Sequence, residues 1–202
     1  LENCGQARSR CTDSDVCYEA RRVILAMGVR RRHLNVPGED RLAGHGVGWC
    51  AVCDGAFFRG QDVAVVGGGN TALEDALYLS GLCKTVHLLV RKNEFRGQAA
   101  LVQRVMEKEN IKARFQTEVT EILGENKVSG ITVTQNGVTE TIPLSGVFVA
   151  IGLSPDTSLY GDLVETDPSG YIVAGEDCRT SVPGIFAAGD IRTKEIRQIV
   201  TA

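Results

Sequence analysis

One segment, residues 62–90, constrains the fold of this chain more than any other. It begins with a β-branched run, Asp62–Val66, of the kind that forms a buried parallel strand. The run leads directly into a G-x-G-x-x-A loop at 67–72, then a helical pattern, then a second apolar run, Thr85–Val90. A strand, a glycine-rich turn, a helix and a strand in this order predict a βαβ unit, and therefore an α/β fold with a parallel sheet.

The glycine-rich loop has the residues that dinucleotide phosphates require. Gly67 permits the tight turn, Gly69 lets a pyrophosphate approach the backbone, and Ala72 permits close packing of the helix on the strand. The helix that follows the loop offers free N–H groups and a positive dipole end to the phosphates. We therefore predict a dinucleotide site that includes Gly67, Gly69, Asn70 and Thr71. The alternative is an ordinary tight turn between a strand and a helix.

The helix after the loop carries its own start and stop signals. Thr71 followed by Glu74 is the pattern of a capping box, and Gly81 is a typical residue for a helix end. The face expected to pack on the sheet consists of Leu73, Ala76, Leu77 and Ser80.

The residues after the second strand indicate which dinucleotide is bound. An NAD site normally has an acidic residue there, which bonds the ribose 2′-hydroxyl. This chain has Arg91, Lys92 and, a little further on, Arg96. Their cations would pair with a 2′-phosphate, whereas a carboxylate would repel it. The pattern predicts NADPH, and the alternative is a solvated basic turn.

Beyond residue 116 the strand pattern changes from parallel to antiparallel. Two alternating segments, 117–123 and 128–135, are followed by Asn136 and Gly137, a strong signal for a two-residue hairpin turn. Another buried strand is expected at 147–151. The predicted architecture is a Rossmann-like NAD(P)-binding domain in which a parallel sheet carries an antiparallel meander.

A Cys-x-x-Cys pair, Cys50 and Cys53, is compatible with a zinc site, a structural disulfide or a redox couple. A structural zinc site needs four ligands, and apart from His45 the sequence offers no further ligands at suitable spacing. A structural disulfide that closes so short a loop would add little stability. A redox couple fits better, because closely spaced thiols interchange between dithiol and disulfide. Asp54 is placed to deliver or accept the accompanying proton; the alternative is a solvated turn residue.

The nucleotide loop and the cysteine pair together require a third component. A nicotinamide gives up a hydride, which carries two electrons, and a disulfide does not readily accept a hydride directly. A flavin can accept the hydride and pass the electrons to sulfur. The sequence therefore predicts a flavin site in addition to the NADPH site.

Composition and charge exclude several other classes of protein. The 202 residues carry 22 basic and 25 acidic side chains, a formal net charge of −3, which leaves no electrostatic footprint for nucleic acid or an anionic membrane. The longest apolar runs are of strand length. Seven cysteines, mostly scattered, do not form a secreted disulfide framework, so we expect a reducing cytoplasm. Cys83 is expected to be a small packing residue.

Several segments of the chain resemble thioredoxin reductase of the low-molecular-weight, bacterial type. They are, in chain order, CAVCDG at 50–55, VVGGGNTALEDALYL at 65–79, VRKNEFRG at 90–97, VFVAIGLSPDT at 147–157 and TSVPGIFAAGDIRTKEIRQIVTA at 180–202. The resemblance extends from about Tyr18 to the last residue. Val90 departs from it, since this family usually has histidine at that position.

The resemblance implies roles for the three residues of the redox segment. Cys53 would lie nearer the flavin, Cys50 would attack the disulfide of the partner, and Asp54 would be the acid. Thioredoxin would be the protein substrate, and the full-length protein would be a homodimer.

The resemblance also implies a binding site for FAD. Asp190 would bind the ribityl–phosphate portion, and Arg197 and Gln198 would lie against the flavin. Further contacts with the cofactors would come from Gly28, Gly152 and Ile191.

The domain organisation follows from the same resemblance. Residues 48–152 would form the NADPH-binding domain with the redox pair, inserted in an FAD-binding domain of the same type made of residues 1–47 and 153–202. That FAD-binding domain would be incomplete, because the strand–GxGxxG–helix unit with which the family opens has no counterpart before Cys4. We therefore expect the chain to be a piece of a longer polypeptide.

Three functions stay open on sequence grounds. The first is an NADPH-dependent flavoprotein that reduces thioredoxin. The second keeps the fold and changes the acceptor, as in an oxidase of small dithiols or a reductase of a peroxiredoxin-type partner. The third is a non-catalytic NADPH-binding module, which this chain becomes if it does not retain FAD.

Overall fold

The computed structural model describes residues 2–3, 9–13, 16–156, 160 and 162–194, and their side chains from residue 18 onward. The chain forms two compact units. The first consists of Leu1–Arg31 together with Leu153–Ala202, and the second of Arg32–Gly152. No helix among the described residues is long and apolar enough to cross a membrane.

The N-terminal strands belong to the first unit. Antiparallel pairing joins β1 (Glu2–Asn3), β2 (Ser9–Asp13) and β3 (Val16–Ala20) into a sheet with β2 in the middle. Two short strands follow, β4 (Val23–Leu25) and β5 (Val29–Arg31).

The second unit contains all of the α-helices in the described part of the chain. Its elements, in chain order, are β6 (Val47–Gly48), α1 (Ala51–Asp54), β7 (Asp62–Val66), α2 (Asn70–Ser80), β8 (Thr85–Val90), α3 (Ala99–Met106), β9 (Ile111–Phe115), β10 (Thr117–Leu123), β11 (Gly130–Gln135), β12 (Val138–Pro143) and β13 (Gly146–Val149). A 3₁₀ turn at Gly55–Phe58 follows α1.

Five strands of the second unit form a parallel sheet in the order β6-β13-β7-β8-β9. In the central strand β7, Val65 pairs with Phe148 of β13 and Leu88 of β8. All three side chains are at most 1% exposed. Consecutive residues of β7 are buried because both faces of the sheet are covered, which explains its unbroken apolar run. The predicted βαβ unit is confirmed.

The antiparallel meander is also confirmed. Strands β10, β11 and β12 form a separate sheet in that order. Asn136 and Gly137 connect β11 to β12 with φ values of +51° and +81°. Both residues are therefore in the left-handed region that a two-residue type I′ hairpin requires, and that Asn and Gly tolerate best. The predicted fold class, a parallel sheet with an antiparallel meander, is the observed one.

The first boundary between the compact units lies at 31/32, whereas the sequence-based division put it at 47/48. Residues 32–47 belong to the second unit because Leu42 and Val47, 0% and 1% exposed, pack in its core. Within this segment, the buried carboxylate of Glu39 holds the backbone in place, because it accepts hydrogen bonds from the N–H groups of Leu34 (3.0 Å) and Asn35 (2.7 Å). The second boundary lies at 152/153 in both divisions.

The remaining strands complete the first unit. β14 (Leu153–Pro155) pairs antiparallel with β5, and β15 (Ile185–Ala187) pairs parallel with β4. A 3₁₀ turn, Gly189–Ile191, follows β15. The core of this unit includes four fully or nearly fully buried side chains, Leu25, Ile172, Ile185 and Ile191.

Candidate active site

The glycine-rich loop packs tightly on one side and is open on the other. Gly67 has φ +150°, and a Cβ there would lie 2.3 Å from the carbonyl oxygen of Ala150. A Cβ on Gly68 would lie 2.8 Å from Cγ1 of Val90. By contrast, a Cβ on Gly69 would meet nothing within 4 Å. The first two glycines therefore serve the packing of the loop, and the third leaves open space beside the start of α2.

Helix α2 begins two residues earlier than the capping-box pattern predicts. Its N-cap is Gly69, in an extended conformation and with no side-chain cap bond, so the prediction that Thr71 and Glu74 cap the helix was wrong. Thr71 lies within the first turn instead, where its hydroxyl cannot act as an N-cap. Because the N-terminal N–H groups of a helix lack acceptors within it, those of Asn70 and Thr71 are available to a phosphate.

The buried face of α2 is rotated slightly from the predicted one. Leu73 and Ala76 are 0% exposed, as expected. Leu77 and Ser80 are only partly buried, and the face is completed by Ala72 and Leu79.

The basic residues lie on the loop between β8 and α3, residues 91–98, which we name the basic loop and which is hydrogen-bonded to the glycine-rich loop. Arg91, Lys92 and Arg96 are exposed. The backbone N–H of Arg96 donates a hydrogen bond to the carbonyl oxygen of Gly68 at 2.7 Å. Two residues on, the N–H of Gln98 donates to Oδ1 of Asn70 at 2.8 Å. These bonds bring Arg96 close to the start of α2, which the spacing in the sequence did not reveal.

Val90, the departure from the family pattern, is a core residue of this loop region. It is 2% exposed and lies directly beneath Gly68. Its apolar side chain therefore supports the loop from the inside.

Cys50 and Cys53 are joined by a disulfide. Cys50 is the N-cap of α1, and its Sγ accepts a hydrogen bond from the N–H of Cys53 at 3.2 Å. Cys53 is exposed and Cys50 is half-buried. Among the residues the structure describes, no group of three or more His, Cys, Asp or Glu side chains is arranged to hold a metal ion.

Asp54 faces a cavity of about 360 Å³ in the second unit. Its Oδ2 atom would lie 3.0 Å from a Cβ on Gly48, so the absence of a side chain there makes room for the carboxylate. Phe148 and Phe58 form an apolar part of the cavity wall, and Lys127 lies among its polar residues. The carboxyl group thus sits on the same short helix as the disulfide and beside open space.

The helix with the disulfide packs directly on α2. A Cβ on Gly55, the residue after α1, would lie 2.8 Å from Cδ2 of Leu79 and 3.1 Å from Cε1 of Tyr78. Ala51 of α1 belongs to the same core as Ala72 and Leu73. The nucleotide loop and the disulfide are therefore parts of one compact unit.

Asp75 lies on α2 one turn before Leu79. Burial raises the pKa of this carboxyl from 3.8 to about 6, and the neighbouring charge of Glu74 adds to the rise. The folded chain therefore binds this proton more tightly than the unfolded chain does. The free energy of unfolding therefore falls as the pH rises from the ordinary pKa of 3.8 to the raised pKa of about 6, and the whole destabilisation is present above the raised pKa.

We expect Asp75→Asn to raise the free energy of unfolding by about 1 kcal/mol at neutral pH, after a discount for partial exposure of the carboxyl. Urea unfolding of both chains at about pH 7.5 and about pH 4 measures this, and the gain should nearly vanish at the lower pH. Glu74→Gln is the matched control, with a smaller gain because its charge is the lesser cause. An equal gain at both pH values would contradict the assignment.

Three of the residues predicted to bind FAD, Gly28, Asp190 and Ile191, follow the ends of the paired strands β4 and β15. Gly28 has φ +68°, Gly189 has φ +76°, and a Cβ on either would meet nothing within 4 Å. Oδ1 of Asp190 is buried and accepts no hydrogen bond from the described residues, although Nζ of Lys194 lies 3.9 Å away. Ile191 is 0% exposed and belongs to the core.

The remaining candidate residues are Gly152, Arg197 and Gln198. Gly152 is the last residue of the second unit, has φ +101° and is exposed. Arg197 and Gln198 lie outside the described residues.

Two groups at the site were missed by sequence reasoning. Gly97 lies between Arg96 and Gln98, whose backbone N–H groups make the two hydrogen bonds described above, and a Cβ on Gly97 would be 2.3 Å from Cδ1 of Leu73. Gly189 has a left-handed backbone beside Asp190. A glycine directly next to a candidate binding residue was the available signal in both cases.

A family model described as pyridine nucleotide-disulphide oxidoreductase matches residues 4–202. The chain therefore belongs to the pyridine nucleotide-disulphide oxidoreductase family.

Within that family the chain is similar to proteins named thioredoxin reductase. The bifunctional thioredoxin reductase/thioredoxin of Mycobacterium leprae is 44% identical over 201 residues, which are 98% of this chain and 44% of that relative. The thioredoxin reductase of Mycolicibacterium smegmatis is 45% identical over 191 residues, 93% of this chain and 61% of that relative. The crystal structure of thioredoxin reductase from Streptococcus pyogenes has a TM-score of 0.84 at 41% identity, covering 99% of this chain and 66% of that chain. This chain thus spans less than two-thirds of the length of these relatives.

Proposed function

We propose that this chain is part of an NADPH-dependent flavoprotein that reduces the disulfide of thioredoxin. The observation that carries the proposal is the packing of the disulfide helix α1 on α2, the helix that begins at the glycine-rich loop. One compact unit therefore holds both a phosphate-binding turn and a disulfide. That combination suits a reductase, in which the nucleotide site and the disulfide must take part in the same two-electron transfer.

The glycine-rich loop and the basic loop suit NADPH. Open space at Gly69 and the free N–H groups of Asn70 and Thr71 would receive the pyrophosphate, while Gly67 provides the tight turn. Three exposed cations, Arg91, Lys92 and Arg96, would pair with the 2′-phosphate. Arg91 is partly neutralised, since its Nε lies 4.0 Å from Oε1 of Glu118.

The described residues of the first unit suit FAD. The buried Oδ1 of Asp190, which accepts no hydrogen bond from the described residues, fits a hydroxyl group of the ribityl chain. Gly28, between β4 and β5, and Gly189, at the start of the 3₁₀ turn, each have open space where a Cβ would lie, and Ile191 fixes the turn by its burial. When bound, FAD would supply the means of passing two electrons from the hydride of NADPH to the disulfide. Arg197, Gln198 and Gly152 are proposed as further contacts.

The reduced cysteines would transfer the electrons to the partner by thiol–disulfide exchange. The Cys50 thiolate attacks one sulfur of the partner, forming a mixed disulfide and releasing the other sulfur as a thiolate. Cys53 then attacks Cys50, which restores the internal disulfide and releases the second partner thiol. The N–H of Cys53 stabilises negative charge on Cys50 Sγ, and Asp54 would supply a proton to the leaving sulfur.

The names of the relatives support thioredoxin as the acceptor. Several are named thioredoxin reductase, and the relative from Mycobacterium leprae is named as both reductase and thioredoxin. We also propose that the complete flavoprotein is a cytoplasmic homodimer. The free thiols of Cys83 and Cys178 are compatible with a reducing compartment.

The test is the rate of NADPH oxidation by the holoenzyme with three disulfide acceptors: thioredoxin, a peroxiredoxin-type protein and a small cyclic disulfide. We expect kcat/KM for thioredoxin to exceed that for either of the others by about a hundredfold, since only an acceptor with a complementary surface makes contacts that stabilise the transition state. A preference for another acceptor would overturn the choice of substrate. A colourless protein that binds NADPH and reduces no acceptor would overturn the enzymatic proposal as a whole.

A further inference from the structure

We infer that Asn70 is a positioning residue that sets the preference of the nucleotide site for NADPH over NADH. The inference rests on the proposed function, because it assumes that the two loops bind this coenzyme. It assigns to Asn70 an action through the basic loop, separate from any direct contact with the pyrophosphate.

Two hydrogen bonds, on either side of Gly97, attach the basic loop to the glycine-rich loop and to the first residue of α2. On one side, the N–H of Arg96 donates to the carbonyl oxygen of Gly68 at 2.7 Å. On the other, the N–H of Gln98 donates to Oδ1 of Asn70 at 2.8 Å. The first bond uses only backbone atoms, so the second is the one that a side chain controls.

Gly97 shows how closely the two loops approach between these bonds. A Cβ at this residue would lie 2.3 Å from Cδ1 of Leu73 and 3.0 Å from Oδ1 of Asn70. Leu73 is fully buried in the core of the second unit. The backbone after Arg96 therefore rests on the rigid helix, and Asn70 closes the contact from the solvent side, where it is itself exposed.

This attachment affects the two coenzymes differently. NADPH and NADH share the pyrophosphate, which meets the glycine-rich loop, and they differ in the 2′-phosphate. The guanidinium of Arg96 is exposed and has no ion-pair partner among the described residues, so its position depends on the backbone that carries it. Without the Asn70 bond that backbone gains freedom, and binding must then order it again. The loss of affinity therefore affects NADPH, whose 2′-phosphate contacts the basic loop, more than NADH.

The experiment measures the dissociation constants of NADPH and NADH for the chain and three variants by titration calorimetry. Asn70→Ala removes the acceptor. Asn70→Asp keeps an oxygen acceptor but adds a negative charge beside the pyrophosphate. Gln98→Ala removes a side chain that makes no cap bond and keeps the backbone N–H donor.

We expect Asn70→Ala to lower the ratio of the NADH to the NADPH dissociation constant by about fivefold, as suits the loss of one hydrogen bond. Asn70→Asp should weaken both coenzymes and keep the ratio, and Gln98→Ala should change neither. A fall in affinity that is equal for both coenzymes in Asn70→Ala would overturn the inference and leave the proposed function intact. A fall of this ratio in Asn70→Asp would overturn the inference as well, even if Asn70→Ala did not fold. If the unaltered chain bound neither coenzyme, the proposed function itself would be wrong.

Discussion

Serine at either position of the cysteine pair is expected to lower NADPH-driven reduction of thioredoxin by the holoenzyme at least about a thousandfold. Each variant, Cys50→Ser or Cys53→Ser, leaves one sulfur where the reaction needs two. Neither change touches the glycine-rich loop, so NADPH affinity should stay as it is. Steady-state turnover, together with coenzyme titration, measures both quantities.

The matched control is Cys178→Ser. Cys178 is a free, half-buried cysteine of the first unit, and no step of the proposed reaction uses it. Cys83 is less suitable, because it is 6% exposed in the core and burial, with Asp62 nearby, raises the pKa of its thiol. Its predicted role as a packing residue is confirmed. Full turnover in either variant of the pair would show that the disulfide is not the reacting group.

The two serine variants also separate the roles of the two sulfurs. Exposure favours Cys53 as the attacking sulfur, whereas the hydrogen bond from the Cys53 N–H favours a thiolate on Cys50. We expect the hydrogen bond to decide, so that Cys53→Ser accumulates a mixed disulfide with thioredoxin and Cys50→Ser does not. Non-reducing electrophoresis of each variant with oxidised thioredoxin detects the adduct, and an adduct only with Cys50→Ser would reverse the assignment.

Substitutions at two glycines of the same loop are expected to fail in different ways. Gly69→Val should fold normally, because the backbone there has φ −94° and a Cβ meets nothing within 4 Å. Its side chain would occupy the space proposed for the pyrophosphate, so NADPH should bind at least about a hundredfold more weakly. Gly67→Ala should instead lose stability, since a Cβ would lie 2.3 Å from the carbonyl oxygen of Ala150 and the residue has φ +150°.

Thermal unfolding and NADPH titration on the same samples distinguish the two outcomes. We expect Gly67→Ala to lower the free energy of unfolding by about 2–4 kcal/mol. Gly81→Ala is the matched control, because it lies at the other end of α2, has φ −79° and has space for a Cβ. Normal NADPH affinity in a folded Gly69→Val chain would show that the coenzyme does not approach this face of the loop.

The sequence was sufficient for features that are encoded locally. The order of strand, glycine-rich loop and helix between Asp62 and Ser80 predicts the βαβ unit. A β-branched run indicates a strand and a 3.6-residue apolar period indicates a helix, so each element is recognised from its own residues. Asn136 and Gly137 fix the hairpin, since few residues tolerate two consecutive left-handed conformations.

The start of α2 shows where a local pattern is ambiguous. The sequence contains a capping-box spacing at Thr71, yet the helix begins after Gly69. A glycine can take the extended N-cap conformation as readily as threonine can, and tight packing of Gly67 and Gly68 holds the backbone so that the helix starts there. The packing of the glycine-rich loop therefore outweighed the preference of threonine for the N-cap position.

Other features depend on residues that are distant in the sequence. Asn70 and Gln98 meet although they are 28 residues apart, and no periodic pattern relates them. Residues 32–47 join the second unit through the burial of Leu42 and Val47, which the sequence does not distinguish from burial in the first unit. Such contacts are set by the packing of whole elements, so reading individual motifs does not find them.

The most direct test of the central claim is a count of thiols in the holoenzyme before and after one equivalent of NADPH is added without oxygen. Alkylation followed by mass spectrometry locates each new thiol. The account predicts that Cys50 and Cys53 become labelled together and that no other cysteine changes. Oxidation of NADPH while Cys50 and Cys53 both stay unlabelled would contradict it, because the coenzyme site and the disulfide would then belong to separate functions.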